Sequence, residues 1–140
     1  MVSGAPLTVR AGRDNSLRAI GGDTADVIGD WHLADGRSRQ EQMNAWFNTA
    51  AFVQNAAGTF GGGGIGILRG PGTWNTDLAV QRQFRFSERK RLEFRGSFYN
   101  LPNHANLNNP DTTQLNTTTF GKITSVSAPR VIELGLRFAF

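Results

Sequence analysis

The glycine run GGGGIG at 61–66 is the first feature that could support chemistry, because it matches the G-x-G-x-x-G pattern of dinucleotide-binding loops. Such a loop follows a buried strand, opens a helix and has an acidic residue about 20 positions later. The segment before the run, AAGTF, is a weak strand, and the segment after it, ILRGPG, cannot begin a helix. We therefore interpret the run as a flexible loop and expect no nucleotide or other cofactor.

The carboxylates of Asp23, Asp26 and Asp30 are a second candidate, because closely spaced oxygen ligands can hold Ca²⁺. Their spacing is not that of an EF-hand, so we interpret the segment as a solvated, turn-rich loop, with an outer-loop calcium site as the alternative. His32 and His104 have no His or Glu at metal-ligand spacing. The chain also has no Cys and no arrangement typical of a nucleophile with its base. The sequence therefore predicts neither a metal site nor an enzyme.

The segment QRQFRFSERKRLEFR interleaves basic and aromatic residues, as proteins that bind single-stranded nucleic acid do. Bases could stack on Phe84, Phe86 and Phe94, with phosphates held by the basic residues between them. At strand spacing, however, these rings face away from Arg85 and Arg95, whereas a stacking surface needs both kinds of group on one face. We therefore expect no nucleic acid partner and keep a soluble nucleic-acid-binding sheet as an alternative.

Three segments that could position such groups alternate apolar and polar residues, as strands with two unlike faces do. They are 73–86, 91–100 and 130–140, with a weaker candidate at 5–10. The segment SERK at 87–90 predicts a tight hairpin turn. The other connections, 11–72 and 101–129, are rich in turn residues and predict long irregular loops. One short helix is predicted where Ser38 and Glu41 can form a capping box.

Aromatic residues sort into two levels when these strands are arranged as an antiparallel meander. Most of them gather at the hairpin end, and a few gather near the long loops, like the interfacial belts of a sheet in a bilayer. The residues of this predicted aromatic girdle are Trp74, Phe84, Phe86, Phe94 and Phe98. The opposite face carries charges that could pair in a polar interior, namely Asp77, Arg85, Glu93, Arg95, Glu133 and Arg137.

A soluble sheet with one wet face would show the same alternation and stays open as an alternative. Such a sheet could bind carbohydrate by stacking on Trp74 and Tyr99, although these two residues have opposite parity. Arg82 argues against the membrane, because it falls on the apolar face, where a charge near the bilayer centre costs about 2–4 kcal/mol. Its long stem could instead carry the charge to an interface.

Composition narrows the class of protein without deciding between these alternatives. The chain has 140 residues, 39% of them hydrophobic, and a net charge of +4, which suits one domain of ordinary size. It has no apolar run of about 18 residues, so no transmembrane helix is predicted, and the start MVSGAPLTVR predicts no signal peptide. A membrane-spanning β-strand needs only about 10 residues of alternating character, which these strands supply.

Several motifs of the chain, taken in order, resemble the C-terminal end of TonB-dependent outer-membrane receptors of the Oar-like kind. These motifs are FNTAAF, ILRGPGTWNTDLAV, FRGSFYNLPNHANLNNP, FGKITS and the terminal LGLRFAF. The resemblance implies an all-β fold: antiparallel up-and-down strands from the closing end of a transmembrane β-barrel, with long irregular loops and one short helix. It implies that 1–140 is the C-terminal part of this barrel domain, in the cell outer membrane.

The same resemblance implies a function and a set of partners. Receptors of this kind take up bulky solutes with energy relayed by TonB to an N-terminal plug. The expected partners are outer-membrane lipid, the barrel-assembly machinery, the N-terminal barrel and plug that this chain lacks, and TonB acting through that plug. The terminal apolar alternation resembles the signal that the barrel-assembly machinery reads, which is carried by Ile132, Leu134, Leu136, Phe138 and Phe140.

The number of predicted strands limits what the chain can do alone. Transporters of this kind have about 22 strands around a plugged lumen, and the smallest membrane barrels have about eight. Three or four strands leave open edges, which lipid does not tolerate. We therefore expect a fragment, from a truncated gene, a split gene or a partial gene model, that is inactive as a transporter by itself.

Overall fold

The computed structural model describes residues 1–19, 22–114 and 116–140. These residues form two compact units. We call the one made of 2–73 and 107–126 the loop unit, and the one made of Met1, 74–106 and 127–140 the sheet unit.

The loop unit is held together by short pieces of regular structure. Four two-residue strands form two antiparallel pairs, β1 with β4 and β2 with β3. The four strands are β1 Pro6–Leu7, β2 Asp26–Val27, β3 Phe52–Val53 and β4 Leu68–Arg69. The weak strand predicted at 5–10 is thus reduced to β1, followed by isolated bridges at Arg10. A 3₁₀ helix, Thr49–Ala51, leads directly into β3.

The predicted short helix is present as α1, Arg39–Asn44. Its capping box is complete: the Glu41 N–H donates to Ser38 Oγ at 3.3 Å, and the Ser38 N–H donates to Glu41 Oε2 at 2.8 Å. These bonds satisfy two backbone donors that a helix start otherwise leaves open. Among the described residues, no helix has the length and apolar character needed to cross a membrane.

The loop unit has its own hydrophobic core. Phe47 packs edge-to-face against Phe52 and against Phe120, with ring centroids 5.4 and 5.3 Å apart. The buried members of the core are Val9, Ala25, Phe47, Ala51, Phe52, Leu68 and Phe120. The two predicted loops, 11–72 and 101–129, are therefore more ordered than their turn-rich sequences indicate. Their apolar residues come singly or in short runs, without a period, and become a core only when distant segments meet.

The sheet unit contains one three-stranded antiparallel meander. Its strands are β5 Leu78–Arg85, β6 Arg91–Tyr99 and β7 Val131–Ala139, in the spatial order β5-β6-β7. The hairpin between β5 and β6 closes with a hydrogen bond of 2.9 Å from the Phe86 N–H to the Lys90 carbonyl. The Lys90 N–H donates in turn to Ser87 Oγ at 3.2 Å.

Two of these strands lie within a residue of the predicted bounds at each end, whereas β5 begins five residues later than the predicted start at 73. Just before Leu78, hydrogen bonds to the Asp77 side chain replace those of the ladder. Asp77 Oδ1 accepts from the Asn75 side chain and from the Asn100 N–H, each at 2.9 Å. The Asp77 carboxylate thus takes the backbone N–H of the residue that follows β6, in place of a ladder bond.

Candidate functional site

The register of the three-stranded sheet separates its residues into two chemically different faces. Directly paired residues share a face, and Phe94 pairs with Arg82 on one side and Leu136 on the other. Phe98 likewise joins Leu78 and Ile132. All even-numbered strand residues therefore lie together, and apart from Arg82 and Gly96 they are large and apolar.

This apolar face is open. Leu134 is 68% exposed and Leu136 is 71% exposed. The other large apolar residues of this face with more than a third of their surface open are Leu78, Val80, Phe84, Phe86, Ile132, Phe138 and Phe140. Soluble monomers rarely leave an apolar surface of this extent in water. The face is therefore built to be covered by apolar material.

The opposite face is polar. Glu93 lies between Gln83 on β5 and Arg137 on β7, and Arg95 lies between Gln81 and Gly135. The Glu93 carboxylate accepts a hydrogen bond from the Gln81 amide. Within the described part of the chain, no carboxylate of this face lies within 4 Å of a guanidinium, so the pairing expected there is not made by direct contact.

The chain terminus follows the same alternation. Ile132, Leu134, Leu136 and Phe138 lie on the apolar side of β7, and Phe140 stands just after its last residue. The Phe140 ring stacks on the Phe138 ring, with centroids 5.8 Å apart, yet remains 91% exposed. These side chains thus form one accessible row, and their reading by the barrel-assembly machinery stays a prediction.

The residues predicted to form the aromatic girdle separate into two groups. Phe84, Phe94 and Phe98 are on the apolar face, and Phe86 follows the end of β5. The sequence prediction that Trp74 lies on the strand is wrong, because β5 begins only at Leu78. The Trp74 ring instead packs on His104, with ring centroids 4.8 Å apart.

Asn106 explains why the chain around Trp74 is not paired with a strand. Its buried side chain accepts the Trp74 N–H at 3.0 Å and donates to the Trp74 carbonyl at 2.9 Å. An amide side chain offers one acceptor and two donors, so here it replaces the peptide group of a neighbouring strand.

Two further asparagines complete what we call the asparagine cap, made of Asn100, Asn103 and Asn106. Asn100, at φ +51°, accepts the His104 N–H and donates to the His104 carbonyl, each at 2.9 Å. Asn103 Oδ1 accepts the Arg130 N–H at 3.0 Å. The cap therefore joins the start of β5, the end of β6 and the start of β7. The sequence predicts only a strand end and an irregular loop here and does not reveal the cap, although Asn recurs at every third position from 100 to 106.

Arg82 is the one charged residue on the apolar face of the described strands. Its guanidinium carbon lies 5.8 Å from the centroid of the Phe84 ring, in cation–π range. Since Phe84 is closer to the hairpin, the side chain extends along the sheet toward that end. This direction fits a charge that is carried away from mid-strand by its own stem.

The glycine run is packed rather than free. A Cβ at Gly61 would overlap the Thr24 carbonyl oxygen. The Gly62 N–H donates to Asp26 Oδ1 at 2.7 Å, and the Gly63 N–H donates to the Ala25 carbonyl at 2.9 Å. The interpretation as a flexible loop was therefore wrong: these glycines allow the chain to lie directly against β2 and the residues before it.

The carboxylates considered above as calcium ligands accept hydrogen bonds from backbone N–H groups instead. Asp23 Oδ2 accepts the Ser16 N–H at 2.7 Å, and this bond lowers the pKa of Asp23 below its usual range. The His32 N–H, followed by the His32 side chain, does the same for the pKa of Asp30. In the part of the chain that the structure describes, no three His, Cys, Asp or Glu side chains converge as metal ligands would.

Comparison with known proteins adds one finding. A family model described as "Outer membrane beta barrel domain" matches residues 1–133. No curated protein and no solved structure matches the sequence.

Proposed function

Because this chain belongs to the family of outer membrane beta barrel domains, we propose that it forms part of a TonB-dependent transporter that takes up a bulky solute. It is an all-β protein of the cell outer membrane. Membership of this family favours the membrane over a soluble nucleic-acid-binding or carbohydrate-binding module. Energised uptake through a plug, driven by TonB, rests on the resemblance of the sequence motifs.

The open apolar face of the sheet is the observation that supports this proposal best. Its branched and aromatic side chains would contact lipid acyl chains, and the opposite face, with Glu93 and Arg95, would line a watery interior. Burial of each exposed leucine in hydrocarbon stabilises the assembly by about 1.5–3 kcal/mol at full burial. Neither face then needs a covering protein layer.

Closure of the barrel requires more strands than the three in the sheet. Among the residues that the structure describes, no strand pairs with the outer edge of β5 or of β7, and lipid leaves the N–H and C=O groups of such edges without partners. We expect both edges to pair with other strands of the transporter, whose plug contacts TonB. On this proposal residues 1–140 alone neither catalyse a reaction nor conduct a solute.

Site-directed spin labels test the assignment of the two faces in the assembled protein. Labels at Leu134 and Leu136 should collide with oxygen dissolved in lipid and be shielded from a water-soluble nickel reagent. Labels at Glu133 and Arg137 serve as matched controls on the other face of β7 and should show the reverse. Equal accessibility of all four labels to the nickel reagent would remove the membrane-facing role of this sheet.

Transport is tested separately, because a membrane barrel need not be TonB-dependent. Medium depletion can be profiled for cells that lack this gene, cells that lack TonB and the parent strain. The proposal predicts at least one bulky solute that only the parent consumes. If depletion of a solute from the medium requires this gene but not TonB, the protein is a barrel that works without TonB, and the proposal of energised uptake is overturned.

A further inference from the structure

The loop unit contains a cleft that the transport proposal does not use. Its volume is about 350 Å³, which lies in the range of about 300–1,000 Å³ that is typical of ligand sites. Its lining combines aromatic rings, aliphatic side chains and the guanidinium groups of two arginines. The lining includes Trp31, Arg37, Trp46, Phe47, Leu68 and Arg69.

The aromatic part of the cleft is fixed by packing. Phe47 and Leu68 are 3% and 5% exposed and belong to the core of the loop unit. Trp46 is half-buried, and its indole N–H donates to the Arg69 carbonyl at 2.7 Å. Trp31 packs between His32 and Phe52, with ring centroids 5.3 and 6.2 Å away. The rings are therefore held in place before any ligand arrives, which lowers the entropic cost of stacking.

The guanidinium groups of the cleft are held by neutral acceptors. Arg37 donates from Nε to the Ala34 carbonyl at 3.1 Å and from Nη1 to the Ala45 carbonyl. Arg69 donates from Nη1 to the Gly4 carbonyl at 3.3 Å. Across the residues described, neither group has a carboxylate within 4 Å. Arg37 also acts on the Glu41 carboxylate from a longer range, as one of the causes that lower the pKa of Glu41. Both guanidinium groups keep free N–H donors, so the cleft favours an anion.

A second cleft, of about 230 Å³, shares Leu33, Arg37 and Trp46 with the first. It adds the side chains of Asp35 and Gln42, which can accept from and donate to hydroxyl groups. Because the two clefts share a wall, a ligand longer than one ring can occupy both. The combination of flat rings, cations and hydroxyl partners is poorly suited to a purely apolar ligand.

We propose that this double cleft binds an acidic oligosaccharide. A sugar ring stacks on the tryptophans, its carboxylate accepts hydrogen bonds from Arg37 and Arg69, and a neighbouring sugar places its hydroxyls at Asp35 and Gln42. The inference goes beyond the proposed transport, since binding needs neither uptake nor TonB.

Isothermal titration of the full 140-residue chain in detergent micelles tests this site. The probes are D-galacturonate, its α-1,4-linked dimer and D-galactose, which has the same ring without the carboxylate. The dimer should bind at least tenfold more tightly than galactose. Raising the salt concentration from about 0.05 M to about 0.5 M should weaken the binding of the acidic probes and leave the affinity for galactose unchanged.

Arg69→Gln should weaken dimer binding at least tenfold, because it removes a charge from an exposed side chain that contributes little to the fold. Arg89→Gln is the matched control: it removes the same charge from the hairpin turn and should leave binding unchanged. Near-ultraviolet circular dichroism verifies the fold, and the salt series tests the charge without any substitution.

Three results would overturn the proposal. Equal affinity for galactose and galacturonate would remove the role of the arginines. If benzoate binds more tightly than galacturonate, the ligand is an aromatic acid and not an acidic sugar. If no probe produces binding heat, the cleft does not bind acidic oligosaccharides. All three outcomes are independent of transport, so they can be told apart from failure of the uptake proposal.

Discussion

Leu136→Arg should destabilise the protein in its membrane by about 2–4 kcal/mol, the cost of an arginine on the lipid face near the bilayer centre. Leu136 lies one residue from the midpoint of β7, pairs with Phe94 and is 71% exposed. No neighbouring carboxylate within the described residues is placed to pair with a new guanidinium on that face. Since 1.4 kcal/mol is a factor of 10, the ratio of folded to unfolded protein in lipid should fall by a factor of about 30 to 700.

The measurement is a urea unfolding series of the assembled protein in lipid vesicles, followed by tryptophan emission. Glu133→Arg, on the same strand but the polar face, introduces the same side chain and should cost less than about 1 kcal/mol. Leu136→Ala separates the loss of apolar surface from the added charge. Equal destabilisation by the two arginine variants would show that the faces of β7 are not divided between lipid and water.

Three further outcomes follow from local contacts. Gly61→Ala should cost the loop unit about 1–3 kcal/mol, because the new methyl group meets the Thr24 carbonyl, and chemical unfolding measures this loss. Asn106→Ala should leave two buried backbone groups of the Trp74 segment unpaired, at about 1–3 kcal/mol, and raise hydrogen exchange there. The pKa of Glu41 is lowered chiefly by its hydrogen bond with the Ser38 side chain. The ionised carboxylate therefore stabilises α1 above the ordinary pKa of 4.5, and this stabilisation is lost as the pH falls through the lowered pKa. Amide hydrogen exchange across α1 measures the loss.

Each of these outcomes has a control in the chain. Gly62→Ala should be nearly neutral, since its methyl group would meet only Asp26 Oδ1 at 3.5 Å. Asn106→Asp keeps the acceptor for the Trp74 N–H and, at a pH low enough to protonate the new carboxyl, also a donor for the Trp74 carbonyl, so there it should cost less than the alanine variant. Glu41→Gln keeps an acceptor without the titration, so persistence of the acid loss in that variant would assign it to another group.

The sheet could be predicted from the sequence because its information is local. Alternation along 91–100 and 130–140 places each side chain on a face by parity alone, and the turn SERK sets which strands are neighbours. The capping box of α1 is equally local, since Ser38 and Glu41 are three residues apart. The matched family agrees with this all-β prediction.

The loop unit could not be predicted in the same way, because its contacts join residues that are far apart in the chain. In the sequence, Phe120 is an isolated aromatic residue in a polar segment, and only the structure shows that it packs against Phe47. The asparagine cap was missed for a related reason: Asn106 acts on Trp74, and no local pattern reveals a side chain that replaces a strand. Gly61 was interpreted as part of a flexible loop, whereas its lack of a side chain lets the chain lie directly against the Thr24 carbonyl.

The core of the loop unit has a consequence for biogenesis. Phe47 and Phe120 are about 70 residues apart, and all of β5 and β6 is synthesised between them. The contact between Phe47 and Phe120 can therefore form only after these two strands have been synthesised. The core of the loop unit is consequently completed late in the synthesis of the chain, and the long separation of its contacts slows its folding.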